Sequence, residues 1–360
     1  MTSINTSDPP KKPHTAPSIT TPSIATVGCG YFSRFHHEAW SRLPVKHLGV
    51  CDLEKSKAIA FSDEFGVETA FDNFEEMLDK TNPDLVDIIL PPEQHLEHIR
   101  LALEFHAHVL CQKPFTENTQ QAQIAADLGR QAGRLVIVHE NFRFQPWYRK
   151  IKTLLQEDLL GRIYQAQFKL RPGDGRGPNA YLARQPYFQT MPQFLIRETG
   201  IHFVDVFRYL FGEPKSLFAD LTRLNPAITG EDAGIFILEF DDQLRAAFDG
   251  NRLSDHSARN PRLTLGEMQI EGEKGTLTLN GNGELWFRRH GNDQSHQIAC
   301  DFYDNGFGGD CVYELQKHVV DCLESGKEPE NLASEYVRNL AIQTQIYESS
   351  ALGKKMHLAS

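Results

Sequence analysis

The chain has 360 residues, which is too long for one ordinary hydrophobic core and suits two domains of about 100–200 residues each. Its 37 Lys and Arg residues against 48 Asp and Glu residues give a formal net charge of −11. A nucleic-acid or anionic-membrane partner would need a basic face, so neither is expected. With 40% hydrophobic and 24% charged residues, the composition excludes collagenous, disordered and coiled-coil classes.

The ends of the chain and its cysteines indicate a cellular compartment. No apolar run approaches the roughly 20 residues needed to span a bilayer. Residues 1–22 are rich in Pro, Ser and Thr and lack the apolar stretch of a secretory signal, which predicts a disordered tail, with a docking or targeting arm as the alternative. The six cysteines form no C-x-x-C pair, so we expect free thiols in a reduced cytoplasm and no metal site.

From residue 24 onward, short apolar runs alternate with amphipathic stretches. The predicted strands of this half are 24–27, 47–51, 84–90, 108–111 and 135–138. The predicted helices are 32–43, 54–65, 93–105 and 117–132. This alternation with short connections predicts a Rossmann-type, doubly wound parallel sheet with helices on both faces, over a domain of residues 23–144.

The pattern changes after residue 144. The second half begins with a predicted helix at 147–160, and its predicted strands are 164–171, 233–240, 243–249, 264–271 and 275–280. The segment 271–287 is predicted as strand, turn, strand, turn, strand, so a further strand ends it. Further helices are predicted at 198–210 and 338–352. Runs of neighbouring strands predict an α+β domain, residues 145–360, with a large, mainly antiparallel open sheet and a closing C-terminal helix. The predicted fold class is therefore α/β with two domains.

A glycine-rich turn, GCGYFS at residues 28–33, joins the first predicted strand to the first helix. Gly28 allows the tight turn, Gly30 lets the backbone approach a pyrophosphate, and Ser33 stands where a third Gly or Ala is usual. Asp52 ends the second strand, near the offset of about 20 residues at which an acid binds the adenosine ribose. Its carboxylate would repel a 2′-phosphate, so the turn predicts NAD, with a purely structural turn as the alternative.

Three further segments complete a set: PPEQH at 91–95, CQKP at 111–114 and ETGIHFVD at 198–205. Together with the glycine-rich turn and Asp52, they make the chain from residue 24 to about residue 357 resemble the Gfo/Idh/MocA family of oxidoreductases. The resemblance implies a Rossmann domain, a second domain with an open sheet, and nicotinamide-dependent oxidoreduction of sugars or polyols. It also implies a homodimer or homotetramer formed through that sheet.

The chain departs from the family pattern at two positions. Gln112 stands where Glu is usual, which removes a carboxylate beside Lys113, and Glu198 stands where Asp is common. Within the family, the segments CQKP, GCGYFSRFHHEAW, HENFRFQPWYR, RPGDGRGP and GFGGDCVYELQ resemble the D-apiose dehydrogenase subgroup. That resemblance implies NAD-linked oxidation of a branched aldopentose to its lactone.

Hydride transfer from a carbinol needs a base for the hydroxyl proton and a group that stabilises the charge developing on the oxygen. Lys113 follows a predicted parallel strand, at the edge where ligands bind, and is the predicted relay and oxygen stabiliser, with a solvated surface lysine as the alternative. His202 is the predicted general base. Glu198 lies four residues earlier on the same helix face and is predicted to orient the imidazole or to bind a substrate hydroxyl, with an ion pair of no function as the alternative.

The site residues fall into three predicted groups. The catalytic residues are Lys113, His202 and Glu198. The cofactor contacts are Gly28, Gly30, Tyr31, Phe32, Asp52, Pro91, His95, Gln112 and Lys113. The substrate contacts are Asn141, Arg143, Trp147, Arg171, Glu198 and His202. Purely structural roles are the alternatives for His95 and for the segments 140–147 and 171–177.

The predicted function is an NAD-dependent dehydrogenase that oxidises a sugar, D-apiose or another aldose, to its lactone. A metal hydrolase is not expected, because the H-E-x-x-H pattern is absent. An NAD-dependent glycosidase of the same fold and a non-catalytic dinucleotide sensor remain the alternatives.

Overall fold

The computed structural model of the protein describes residues 19–304 and 306–358, and the first part of the chain forms a six-stranded sheet. Its strands are β1 (Ser23–Val27), β2 (Lys46–Cys51), β3 (Thr69–Phe71), β4 (Leu85–Ile88), β5 (His108–Gln112) and β6 (Val136–His139). The helices between them are α1 (Ser33–Ser41), α2 (Lys55–Phe65), α3 (Phe74–Thr81), α4 (Pro92–Glu104) and α5 (Thr119–Ala132). The strand order is β3-β2-β1-β4-β5-β6 and every neighbouring pair is parallel, which confirms the doubly wound parallel sheet. The carboxyl ends of the strands therefore share one edge, where sheets of this kind bind ligands.

The central strands of this sheet are buried on both faces. β4 and β5 contain no exposed residue, and such strands need the nearly continuous apolar runs that the sequence has. The sequence analysis did not predict β3 and α3. The side chain of Asn73 accepts the N–H of Glu76 at the start of α3, which is a helix-start signal that the sequence carries.

The second sheet has nine strands. They are β7 (Ile163–Leu170), β8 (Ser216–Thr222), β9 (Ala233–Glu239), β10 (Arg245–Asn251), β11 (Gly266–Gly272), β12 (Gly275–Leu279), β13 (Leu285–Arg289), β14 (His296–Ile298) and β15 (Met356–His357). Their order is β14-β13-β12-β11-β7-β10-β9-β8-β15. Only β7 and β10 pair in parallel, so the prediction of a mainly antiparallel sheet is confirmed. The short strands β14 and β15 and the longer β8 were not predicted.

Two helices, α6 (Pro146–Gln156) and α7 (Ile201–Phe211), cover one face of the second sheet. Phe203 of α7 stacks on Phe168 of β7 with 3.8 Å between ring centroids, and both side chains are fully buried. Burial of each such ring stabilises the fold by about 2–3 kcal/mol. On the other face, Phe218 and Ile235 are among the half-exposed side chains, so this face is open.

The last two helices, α8 (Cys311–Ser325) and α9 (Ala333–Leu352), pack back onto the first sheet. α8 was not predicted, and α9 begins five residues before the predicted start at 338. Tyr336 of α9 lies in the core of the first sheet, whereas Ile346 lies in the core of the second. Residues 1–18 of the predicted tail lie outside the described residues, and the division at residue 144 stays a prediction. Among the helices of the described segments, none has the length and apolar character needed to cross a lipid bilayer.

Candidate active site

The glycine-rich turn between β1 and α1 has the shape that a pyrophosphate requires. Gly28 has a φ of +101°, and a Cβ atom there would lie 2.3 Å from the carbonyl oxygen of Ile89, so a side chain does not fit. A Cβ atom on Gly30 would meet no atom within 4 Å, so the backbone faces open space at this point. The Gly30 N–H donates to Ser33 Oγ at 3.1 Å, at the start of α1, whose N-terminus attracts anions. These residues fit the diphosphate of a dinucleotide.

Asp52 follows β2 and is fixed beside this turn. Its Oδ2 accepts the N–H of Cys29 and its Oδ1 accepts the N–H of Glu54, both at 2.9 Å. A carboxylate has about four acceptor positions, so both oxygens remain available to ribose hydroxyls. Lys57 pairs with Glu54 at 2.6 Å, so the charge that would attract a 2′-phosphate is already compensated. This arrangement favours NAD over NADP.

Three other predicted cofactor residues lie at the same edge of the first sheet. Tyr31 is 43% exposed, and its hydroxyl accepts a hydrogen bond from Arg262 at 3.3 Å. Phe32 packs edge-on against Phe307 with 5.6 Å between ring centroids. Pro91 is exposed at the start of α4, just after β4. Their positions are compatible with cofactor contact, which stays a prediction.

Lys113 follows β5 and reaches across to the second half of the chain. Its ammonium donates to the Glu198 side chain at Oε1 and to the Glu198 backbone carbonyl, each at 2.9 Å. The two side chains are only 13% and 15% exposed. Solvent therefore screens this pair less than a surface ion pair, and Lys113 is not the solvated surface lysine of the alternative interpretation.

Glu198 does not contact the imidazole that it was predicted to orient. It lies in a π-helical turn, Ile196–Gly200, that directly precedes α7. Such a turn inserts an extra residue relative to an α-helix, which changes the face on which the preceding side chains lie. The prediction that Glu198 orients His202 is therefore wrong, because the Glu198 carboxylate faces Lys113 instead.

The carboxylate that holds His202 is Glu140. The imidazole Nδ1 lies 2.5 Å from Glu140 Oε1, and both side chains are almost completely buried. An ionised carboxylate only accepts hydrogen bonds, so Nδ1 carries a proton, and in the neutral imidazole Nε2 is then the nitrogen with the lone pair. The ring of Phe142 stacks parallel to the imidazole at 3.8 Å and fixes its plane. The pair therefore has the geometry of a general base with an orienting carboxylate.

The surroundings of Glu140 keep it ionised. Burial by itself raises the pKa of this carboxyl, but the charge and hydrogen bond of His202 and the charge of Lys113 lower its pKa below the ordinary value. Tyr336 donates to Oε2 at 3.0 Å, and burial raises the pKa of this phenol so that it stays a donor. Because the charge of Lys113 acts on Glu140, the Lys113–Glu198 and His202–Glu140 pairs form one cluster.

Two side chains predicted to contact the cofactor are buried and face other groups. His95 is fully buried, and its ring nitrogens lie 2.9 Å from the carbonyl oxygen of Phe115 and 2.7 Å from that of Leu90. Gln112 is 7% exposed, and its amide faces His36. Direct contact with the cofactor is therefore a wrong prediction for the His95 side chain, since both ring nitrogens face backbone carbonyls, whereas contact by Gln112 stays a prediction.

Trp147 and Arg143, two predicted substrate residues, contact other side chains of the protein. Trp147 is completely buried in the second core, and its Nε1 donates to Gln145 Oε1 at 2.9 Å. Arg143 forms two hydrogen bonds, 2.7 and 2.6 Å long, to the carboxylate of Asp205. Its remaining nitrogen lies 3.6 Å from a carboxylate oxygen of Glu330. The prediction of substrate contact is wrong for Trp147, because its side chain is enclosed in the core, whereas substrate contact by Arg143, whose side chain is 15% exposed, stays a prediction.

Asn141 and Arg171 complete the predicted substrate set. Asn141 is 3% exposed, and its Nδ2 has no hydrogen-bond partner within the described segments, so it is an open donor next to Glu140. Arg171 donates to the side chain and the backbone carbonyl of Asp249, at 2.8 and 2.6 Å, on the second sheet. Substrate contact by either residue stays a prediction.

A buried arginine connects the long segment after β7 to the cluster. Arg252 donates from Nη2 to Asp174 Oδ2 at 2.8 Å and from Nε to the hydroxyl of Tyr181 at 2.8 Å. Its Nη1 donates to Thr199 Oγ1 at 2.9 Å, in the π-helical turn. Sequence reasoning missed this residue, because nothing in its neighbourhood along the chain marks it as a link between the two segments.

One edge of the parallel sheet carries a glycine-rich dinucleotide turn, an enclosed lysine and an imidazole paired with a carboxylate. These are the functional groups that an NAD-dependent oxidoreductase needs. Residues 23–140 match the model of an oxidoreductase family with an NAD-binding Rossmann fold, and residues 148–278 match the GFO/IDH/MocA C-terminal domain. The chain belongs to the Gfo/Idh/MocA family. The predictions of family, enzyme class and NAD as the cofactor are therefore confirmed.

Several relatives match almost the whole chain. A D-apiose dehydrogenase from Paraburkholderia graminis is 27% identical over 344 residues, covering 93% of this chain and 89% of the relative. A D-apiose dehydrogenase from Rhizobium rhizogenes is 26% identical over 346 residues, covering 93% and 97%. The crystal structure of an Agrobacterium radiobacter oxidoreductase, in complex with NAD+, L-tartaric acid and magnesium, superposes with a TM-score of 0.85 at 23% identity, covering 94% and 98%. The last similarity supports the fold.

Proposed function

We propose that this protein is an NAD-dependent sugar dehydrogenase, with D-apiose as the first candidate substrate, oxidised at its anomeric carbinol to the lactone. The proposal rests on the cluster of Lys113, Glu198, His202 and Glu140 beside the dinucleotide turn. Two relatives named D-apiose dehydrogenase, which cover nearly the full chain, support the choice of sugar.

Different residues of the first domain would bind different parts of the cofactor. The turn containing Gly28 and Gly30 and the start of α1 would hold the diphosphate, and Asp52 would hold the adenosine ribose. Bound NAD supplies the hydride acceptor, the nicotinamide ring. The protein positions the sugar carbon that loses the hydride and accepts the proton of its hydroxyl group.

The proton of the reacting hydroxyl goes to His202 Nε2. In the neutral imidazole this nitrogen has the lone pair, because Nδ1 donates to Glu140. As the proton leaves, the substrate loses a hydride from the same carbon, and its C–O bond becomes the carbonyl of the lactone. The ammonium of Lys113 stabilises the charge on the oxygen, and Glu198 holds that ammonium in place. In the reverse direction, the same groups return the proton.

An NADH-formation assay with a sugar panel tests this proposal. We would offer NAD and then NADP with D-apiose, common aldoses and inositols, and repeat the best pair with Lys113→Ala and His202→Ala. The expected result is NADH formation with one pentose and its loss in both variants. Lys317→Ala, which removes an exposed lysine paired with Asp321 on α8, is the matched control and should retain the rate.

Two outcomes would contradict the proposal. If NAD binds and no sugar yields NADH, the site is that of a sensor or of a glycosidase that regenerates its cofactor. If Lys113→Ala and His202→Ala keep the wild-type rate, the cluster is not the catalytic machinery. Because a lactone and a keto sugar formed from one aldose have the same mass, product analysis by 13C nuclear magnetic resonance would separate them.

We further propose that the protein works as a homodimer or homotetramer in the cytoplasm. The half-exposed apolar side chains on the open face of the second sheet, such as Phe218 and Ile235, support a contact between copies. All six cysteines are free thiols, which supports a reducing compartment.

A further inference from the structure

A chain of buried polar side chains runs beneath Lys113, through β5, α1 and β4. The backbone N–H of Lys113 donates to Gln112 Oε1 at 2.6 Å. The Gln112 amide nitrogen lies 2.9 Å from His36 Nε2, and His36 Nδ1 lies 2.8 Å from Asp87 Oδ2. His36 and Asp87 are completely buried, so water does not compete for these contacts.

The donor and acceptor atoms of this series of hydrogen bonds follow from the one between the Lys113 N–H and Gln112. A backbone N–H only donates, so the Gln112 oxygen must be the atom that accepts from Lys113. The Gln112 amide nitrogen is then a donor toward His36, and His36 Nε2 must accept. The only ring proton of His36 therefore sits on Nδ1 and is donated to Asp87. An imidazolium at His36 would set two donors against each other at 2.9 Å.

Other titratable side chains pack around these hydrogen-bonded groups. The titratable groups packed around this chain are Asp87 from β4, Cys111 from β5, His139 from β6 and His37 from α1. Burial lowers the pKa of both neighbouring histidines and raises the pKa of the thiol, so none of the three is charged at neutral pH. The ring of His139 stacks on His36 with 4.0 Å between centroids, and Trp40 Nε1 donates to Asp87 Oδ2 at 2.8 Å.

We propose that His36 and Asp87 are positioning residues for Lys113. They hold the Gln112 amide in the one orientation that fixes the Lys113 backbone, and so they aim the ammonium at Glu198. The proposal rests on the proposed function only in that Lys113 is the catalytic lysine.

Nuclear magnetic resonance tests the network without any turnover. In protein labelled with 15N-histidine, His36 should appear as the neutral tautomer with its proton on Nδ1, and His36→Phe, which removes its signals, makes the assignment. In protein labelled with 15N-lysine, the Lys113 amide proton, assigned with Lys113→Arg, should shift upfield in His36→Phe. It should not shift in His37→Phe, which removes the neighbouring buried histidine. An imidazolium or an Nε2-protonated ring in the wild-type protein would overturn the proposal, and so would equal amide shifts in the two variants.

A kinetic arm with D-apiose and NAD separates this role from general stability. His36→Phe should lower kcat by about 10- to 100-fold, the scale of a misplaced catalytic group, with little change in the KM for NAD. His36→Gln offers a new acceptor to Gln112 and should recover part of the rate, while His37→Phe should keep it. Equal kcat values in His36→Phe and His37→Phe would contradict the role. If the wild-type protein oxidises no sugar, the proposed function fails, while the spectroscopic arm still decides the network.

Discussion

Among single residues, the proton chemistry depends on which carboxylate faces the imidazole of His202. Glu140 accepts one hydrogen bond from His202 Nδ1 and another from the Tyr336 hydroxyl. These two hydrogen bonds fix the position of the carboxylate that orients the imidazole. When the imidazole takes a proton from substrate, the resulting cation finds a buried counter-charge 2.5 Å away. We therefore propose that the charge of Glu140, and not only its hydrogen bond, stabilises the transition state.

Replacing that charge by an amide tests this argument. Glu140→Gln keeps an acceptor for Nδ1 but removes the counter-charge, so we expect kcat/KM for the sugar to fall by about 100-fold. Tyr336→Phe, which removes one hydrogen bond and leaves the charge, should cost less than about tenfold. Steady-state kinetics measures both, and a Glu140→Gln rate equal to that of Tyr336→Phe would contradict the account.

The same carboxylate makes folding sensitive to acid. Its pKa in the folded protein lies below the ordinary value of 4.5, so the unfolded chain takes up this proton first as the pH falls. The stabilisation is complete above the unfolded value and is lost as the pH falls through the folded one. We expect wild-type stability to fall relative to Glu140→Gln between about pH 5 and pH 3 in urea titrations. Parallel pH curves would show that the carboxylate makes no such contribution.

We propose that Asp52 sets the choice between NAD and NADP. Asp52→Asn keeps the size of the side chain but lowers its affinity for ribose hydroxyls and removes the charge that repels a 2′-phosphate. We expect the Kd for NAD to rise about tenfold, equivalent to about 1.4 kcal/mol, and the preference over NADP to shrink. Calorimetric titration measures both. Asp79→Asn, on the exposed side of α3, should change neither value, and an unaltered NAD affinity in Asp52→Asn would contradict the assignment.

Sequence position identifies some of these side chains and not others. Gly28, Asp52 and Lys113 are tied to the ends of strands, so their place at the sheet edge follows from the pattern alone. Glu140 follows β6 directly, so the same reasoning would have placed Glu140 at the sheet edge. That reasoning does not identify His202 as its partner. Trp147 shows the limit, because the direction of a side chain within a cleft-bordering segment depends on tertiary packing.

Among the elements, Arg252 links the segment after β7 to the π-helical turn at Thr199, the residue that follows Glu198. Arg252→Met removes a buried cation that three side chains share. We expect the free energy of unfolding to fall by about 2–3 kcal/mol, which is less than for a fully enclosed ion pair because Asp174 is partly exposed. We also expect a higher KM for the sugar. Thr199→Val, which loses a single hydrogen bond, should cost about 1 kcal/mol.

Urea denaturation and steady-state kinetics on the same preparations distinguish the outcomes. A stable Arg252→Met protein with an unchanged KM would show that the segment is held by other contacts. Equal losses in both variants would show that the bond to Thr199, rather than the ion pair with Asp174, carries the effect.

The predicted elements differ in how much local signal they have. The buried parallel strands were found because they are mostly apolar, whereas the three-residue β3 is too short to show a period. β8 alternates buried and exposed residues, so its signal was present in the sequence. The π-helical turn could not be predicted, because a helical pattern continues across it and only the inserted residue changes the face of Glu198.

For the whole molecule, the open face of the second sheet is the surface that we propose for assembly. Phe218, Ile237 and Ala247 are register neighbours on β8, β9 and β10 and form an apolar row. Ile237→Glu should convert the oligomer to monomers, as measured by light scattering after size-exclusion chromatography, because it places a charge in an apolar contact. Ile59→Glu, at an isoleucine that is 46% exposed on α2, is the matched control and should leave the mass unchanged. A monomeric wild-type protein would contradict the proposal.

The central claim is that Lys113 and His202 carry out the chemistry while the turn and Asp52 bind the cofactor. The most direct test is to measure the Kd for NAD and the initial rate of NADH formation on one preparation of Lys113→Met. The account predicts a Kd within about threefold of wild type and a rate at least about 1,000-fold lower. A variant that keeps the wild-type rate would contradict it.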